Sequence, residues 1–163
     1  MSPLPTTLRP VLVAVAFAAT AFAATTADAQ TANNGVVRLK SAYPIDESIA
    51  RVKQAVAERG ITFFAEIDQS ALAARHGVSI RRSTLLEFGN PALGSQFVAG
   101  NPDAGLDWPV RLLLTQDENG QVWAVWNDFS WVARRHAIVD RDAPFATATR
   151  VIGSITSTIA APR

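Results

Sequence analysis

The sequence predicts an α+β domain, a single antiparallel sheet with helices on one face, and three observations carry that prediction. Two segments, 44–59 and 144–160, repeat their apolar residues every three to four positions, the period of a helix buried along one side. Shorter runs at 61–68, 83–88, 110–116 and 121–127 instead alternate or stay apolar over strand length. Asn119-Gly120 then joins the last two runs, and Asn-Gly between such runs is a strong hairpin signal.

Taken in order, residues 1–29 read as a secretory leader. Arg9 is the one basic side chain before an apolar run over 11–24, and Ala27-Asp28-Ala29 supplies the small residues a signal peptidase reads, so cleavage is expected after Ala29. The expected location is periplasmic or secreted, with no membrane attachment once the leader is gone. The apolar run is shorter than the roughly 20 residues of a spanning helix, and an uncleaved anchor is the alternative. Residues 30–34 are small and polar and read as a disordered lead-in to one domain over 35–161. The 163 residues hold 15 Lys and Arg against 14 Asp and Glu, a net charge of +1. These charges are scattered, with no basic stripe interleaved with aromatics, which argues against nucleic acid as a partner. The chain has no Cys, so it offers no disulfide, lipidated cysteine or thiolate metal site.

A first strand is expected over 36–43. In the helix over 44–59, Ile45, Ile49, Val52 and Val56 share one face, Asp46 and Glu47 suit the first turn, and Gly60 the stop. In 61–68 the alternation puts Ile61, Phe63, Ala65 and Ile67 on one face and Thr62, Phe64, Glu66 and Asp68 on the other. A short helix over 70–76 follows, capped by Ser70 or Asp68 and ended by Gly77. Phe88-Gly89-Asn90-Pro91 ends the next strand, because the residue before proline is pushed out of the α region. The connection from there to Trp108-Pro109 is long for a compact domain, and helical turns are expected near 95–99 and 102–106. After the hairpin, Asp128 can cap a short helix reaching His136. Finally Phe145, Ala148, Ile152, Ile155 and Ile159 form the apolar stripe of the C-terminal helix.

Phe88-Gly89-Asn90-Pro91, Gly94-Ser95, Asn101-Pro102, Asp107-Trp108-Pro109, Asn127-Asp128 and Ala133-Arg134-Arg135-His136 together resemble the bacterial family of domain of unknown function 302 (DUF302). The resemblance spans residues 35–161. It implies a β-α-β4-α architecture like one half of the TATA-binding protein, with extra short helices, and a homodimer. It implies no activity, and fold alone assigns none. The chain departs from the family pattern at Gln69, where a His is common, at Glu87, usually apolar, and at Trp108, where Leu is expected.

No nucleophile elbow, Walker loop, zinc-protease or dinucleotide motif is present. His76 and His136 are the only histidines and lie far apart in sequence, so no metal site is expected and no cofactor is implied. Glu87 alternates with Leu86 and Phe88, which points it outward as a solvated carboxylate; facing the core it would suit a general acid. Asp107 and Asp128 each suit a capping or turn role. Trp123 and Trp126 are three apart on a strand and so face opposite sides of the sheet. Three readings are compatible with these residues. The favoured one is a module binding a small, partly apolar ligand at Trp108, Asn127, Asp128, Trp126, Phe88 and Phe97, under the long connection. An acid–base enzyme of hydrolase or isomerase type would use Asp107, Asp128, Glu87 and His136. The third is a purely structural homodimer.

Overall fold

In a computed structural model, which describes residues 30–32 and 34–161, a six-stranded antiparallel sheet runs in the order β1-β2-β6-β5-β4-β3. The strands are β1 (Gln30–Thr31), β2 (Val36–Lys40), β3 (Thr62–Asp68), β4 (Ser83–Gly89), β5 (Val110–Gln116) and β6 (Val122–Asn127). The helices are α1 (Ile45–Glu58), α2 (Gln69–Arg75), α3 (Pro91–Gly100), α4 (Phe129–Arg135) and α5 (Asp142–Thr156), with a 3-10 helix at Pro102–Asp107. The leader and its cleavage point lie outside the described residues. Within the expected lead-in, Gln30–Thr31 pair with β2 as a short edge strand, Thr31 opposite Val37.

One face of the sheet makes the core. Val37, Leu39, Leu86, Phe88, Leu112, Leu114, Val122, Ala124 and Trp126 are buried there against Ile45, Ile49, Val52 and Val56 of α1. Phe145, Ala148, Ile152 and Ile155 of α5 join the same cluster, as the stripe in the sequence requires. Burial of this area is the main driving force for the domain. The helix α5 depends on it, because Gly153 and the Ser and Thr residues of its outer face are weak helix formers.

The first strand stops at Lys40 rather than running to residue 43. Ser41 turns the chain away: its Oγ lies 2.8 Å from Ser48 Oγ and accepts the Tyr43 N–H at 3.1 Å. In β3 the register slips between Phe63 and Ala65, a bulge that places two residues opposite one. Phe63 and Glu66 then both lie on the helix side, opposite Phe88 and Leu86, and Ala65 and Ile67 lie on the other. This corrects the simple alternation, and Lys53 of α1 takes advantage of it by pairing with Glu66 at 2.6 Å.

The long connection is almost wholly helical. Asn90 caps α3 by accepting the N–H groups of Ala92 and Leu93, with Pro91 in the first turn. Asn101-Pro102 repeats the device at the 3-10 helix, where Asn101 Oδ1 accepts the Asp103 N–H at 2.9 Å. In the hairpin, Gly120 adopts φ +75°, a value that an L side chain rarely takes.

Candidate functional site

Sequence reasoning gathers Trp108, Asp107, Asn127, Asp128 and His136 at one end of the sheet, and the structure divides that group in two. The backbone turns at Trp108: Asp107 points one way into a buried polar cluster, and the indole points the other way into an apolar cavity.

The polar cluster centres on Asp107, whose side chain is 1% exposed. His136 Nε2 lies 2.6 Å from its Oδ2, and because an ionised carboxylate only accepts, the imidazole N–H is the donor. Asn127 Nδ2 donates to Oδ1 at 3.2 Å. Two guanidiniums complete the set, Arg111 at 3.4 Å from Oδ1 and Arg135 at 3.3 Å from Oδ2. Local structure explains each position. Asp107 ends the 3-10 helix, Arg111 and Asn127 stand near neighbouring ends of β5 and β6, and the helix capped by Asp128 delivers Arg135 and His136. Asn101 ties the far side by donating to the His136 carbonyl at 2.9 Å. Both Asp107 oxygens are therefore occupied by protein donors. The crevice beside them holds about 10 Å³, at the limit for one water molecule. Arranged this way, the cluster acts as a latch between the long connection, the hairpin and α4.

Two expected members do not join it. Asp128 spends its carboxylate on the Trp131 N–H at 2.7 Å and on the Ser130 hydroxyl, so its role is to cap α4. Glu87 is half-buried on the sheet face away from the helices, in register with Arg111 and Ala65, and bonds to neither Asp107 nor His136. Four groups sharing one acid–base site are thus not assembled. His76 caps the C-terminus of α2, and among the described residues no group of three His, Asp or Glu could hold a metal ion.

The apolar cavity has a volume of about 650 Å³, within the range of small-molecule sites. It lies between α3, α5 and the ends of β4 and β5, and Phe88, Phe97, Trp108 and Phe129 provide its aromatic walls. Leu93, Val151 and Ile152 add aliphatic walls, and Asn90, Thr147, Ser154 and Arg59 the polar groups. Glycines make room for the indole. A Cβ on Gly94 would stand 1.9 Å from Trp108 Nε1, and one on Gly89 would stand 3.0 Å from it. Phe64 meets the indole edge-on with ring centroids 5.9 Å apart. Of the expected ligand residues, Phe88, Phe97 and Trp108 line this cavity. Trp126, Asn127 and Asp128 do not; Trp126 is a core side chain on the wall of the small crevice by Asp107.

The sequence reading missed Arg59, Phe129, Val151 and the two arginines on Asp107. Arg135 stood in the motif carrying the family resemblance, but nothing local shows that the α1 C-terminus and the last turn of α5 meet beside the cavity.

The other face of the sheet carries Trp123, as the three-residue spacing from Trp126 requires. Its Nε1–H donates to Asp117 Oδ2 at 2.9 Å, and Arg38 lies over its ring at 5.0 Å from the centroid. The indole bond, foremost, holds the Asp117 carboxyl below the ordinary aspartate range.

Comparison with known proteins places this geometry. A solved structure, the crystal structure of an uncharacterized conserved protein DUF302 from Bacillus stearothermophilus, superposes with a TM-score of 0.63 at 14% identity, covering 77% of this chain and 95% of that one. Among curated proteins, the chain is 33% identical over 106 residues to Fluoride-specific ion channel FluC 1 of Brucella suis biovar 1. That match covers 65% of this chain and 42% of the relative. Fluoride-specific ion channel FluC 2 of Brucella melitensis biotype 1 matches equally, at 33% identity over 39% of its length. The chain thus spans about two fifths of the curated relatives it matches. The family model for the domain of unknown function DUF302 matches residues 37–161, and the chain belongs to that family.

Proposed function

We propose that this DUF302 domain is a small-ligand-binding module, exported by its leader, whose ligand is partly apolar and occupies the cavity walled by Phe88, Phe97, Trp108 and Phe129. One observation carries the reading: a space of about 650 Å³ is walled by these aromatics together with Leu93, Val151 and Ile152. A concave, mostly apolar space of this size with a few polar groups on its wall is the usual form of a small-ligand site. The Asp107 cluster supports the same choice over acid–base chemistry, since its carboxylate is already satisfied. Fluoride conduction is named for relatives more than twice as long as the matched stretch, and among the described residues no helix is long and apolar enough to cross a membrane. The test is titration with N-phenyl-1-naphthylamine, a neutral dye that brightens in apolar surroundings. Saturable binding to the wild type, abolished by filling the space with Thr147→Trp on its wall, supports the reading, and a wild type that leaves the dye dark refutes it.

A homodimer is a second reading, favoured by the sheet face opposite the helices. Ile67, Leu85, Leu113 and Val125 stand in register across β3, β4, β5 and β6, forming an apolar row only half-buried within the subunit. Such a row, flanked by Glu87, Arg111 and Arg38, suits a self-complementary interface. Sedimentation equilibrium should give twice the subunit mass, reduced to one subunit by Leu113→Glu; a wild-type monomer at tens of micromolar would remove it.

A further inference from the structure

Building on the ligand-binding reading, we infer that the occupant of the apolar cavity is an amphipathic monoanion, a carboxylate on an apolar body, and that Arg59 is the group that receives its head. Arg59 follows α1, and its guanidinium bridges to α5, donating from Nε to Ser154 Oγ at 3.1 Å and from Nη2 to the Ser154 carbonyl at 3.2 Å. Nη1 donates to the Ala55 carbonyl at 2.8 Å. All three acceptors are neutral, and among the described residues no carboxylate pairs with Arg59. A guanidinium has five N–H groups, so one on each terminal nitrogen has no protein acceptor, and these two are the fork that a carboxylate fits.

The rest of the cavity is consistent with this assignment. Among the described residues Arg59 is its only charged wall residue, and no Asp or Glu lines it. The α3 N-terminus, Asn90 to Gly94, forms part of the wall, and its dipole adds a favourable field for negative charge. Asn90, Thr147 and Ser154 are the neutral polar groups on the wall, and the rest is aromatic, aliphatic or glycine, so Arg59 alone offers a charge to an anionic head. Anchored between the end of α1 and the last turn of α5, the guanidinium is held in place before any ligand arrives, which reduces the ordering cost of binding.

The experiment compares decanoate with decanol, which share an apolar body and differ in charge, as competitors of N-phenyl-1-naphthylamine. Wild type should bind decanoate about tenfold more tightly than decanol at neutral pH and low salt, the range of one charge-assisted hydrogen-bonded contact. Added salt should narrow the gap, because Arg59 is solvent-exposed. Arg59→Gln should bring the two affinities together, and Arg59→Lys should leave an intermediate preference, since an ammonium keeps the charge but loses the fork. Circular dichroism verifies that each variant is folded, and the salt series on wild type decides the matter if Arg59→Gln is not. Equal affinities in wild type, or a preference that survives Arg59→Gln, overturns the assignment while the cavity reading stands. A dye that never binds removes both.

Discussion

Replacing Gly94 by Ala tests whether the Trp108 indole is wedged where the structure puts it. In an ordinary helix interior the change stabilises by about 1 kcal/mol, because alanine is the better helix former. Gly94 lies inside α3 with no unusual φ, so that gain applies on backbone grounds. The added Cβ, however, would sit 1.9 Å from Trp108 Nε1 and 2.1 Å from Cε2, and the indole is also held by Gly89 and by the edge of Phe64. Forcing the ring to move costs about 1–3 kcal/mol, as overpacking does elsewhere. The net expectation is a loss of about 1 kcal/mol, read as a lower urea midpoint with unchanged slope. Combined with Trp108→Leu, the same Gly94→Ala change should be neutral or stabilising, and the double-mutant cycle isolates this reversal of sign. A Gly94→Ala protein more stable than wild type would show that the indole does not pack on α3, and the cavity wall built on it would fall.

Three further outcomes are expected. Asp107→Asn should cost about 1–3 kcal/mol in urea unfolding, since it removes the charged acceptor of the buried His136 bond, whereas Arg111 and Arg135 remain solvated; a loss under about 0.5 kcal/mol would mean the latch carries no stability. Ile155→Ala should cost about 2–4 kcal/mol, because Ile155 is 0% exposed, and an effect below about 0.5 kcal/mol would place it at the surface. Asp117 should titrate by NMR below the ordinary aspartate range because of the Trp123 indole bond, and Trp123→Phe should raise its midpoint. Its folded pKa being depressed, the stability it contributes is present above the unfolded value of about 3.9 and lost as pH falls through the folded value. An unchanged midpoint in Trp123→Phe would reject that cause.

Much of the fold is legible because each helix and most strands carry local signals that tertiary packing then honours. The Ile45, Ile49, Val52 and Val56 stripe, the Asn119-Gly120 turn and the Asp68 and Asp128 caps all specify structure from their own neighbourhoods, whereas the sequence reading takes Asn90 for the start of a loop and not for the cap of α3. The β3 bulge is not legible in this way: Phe63 and Phe64 are equally apolar, and only pairing with Phe88 and Glu87 decides which residue is extra. The site is legible in part for the same reason. That Asp107, Asn127 and His136 converge follows from strand ends being neighbours in a hairpin. That Trp108 parts from Asp107 depends on the gap left by Gly89 and Gly94, and that Arg59 borders the cavity depends on α1 meeting α5 at Ser154. These contacts join residues distant in sequence, and no local pattern announces them.

The four tryptophans provide the most direct test of the ligand-binding account, because their indole N–H resonances report from different places: Trp108 on the cavity wall, Trp126 in the core, Trp131 on α4 and Trp123 on the opposite sheet face. In a two-dimensional ¹H–¹⁵N titration with decanol, the account predicts a saturable shift of the Trp108 indole, with Trp123 unmoved. A shift at Trp123 with Trp108 silent, or no shift at any indole, would contradict it.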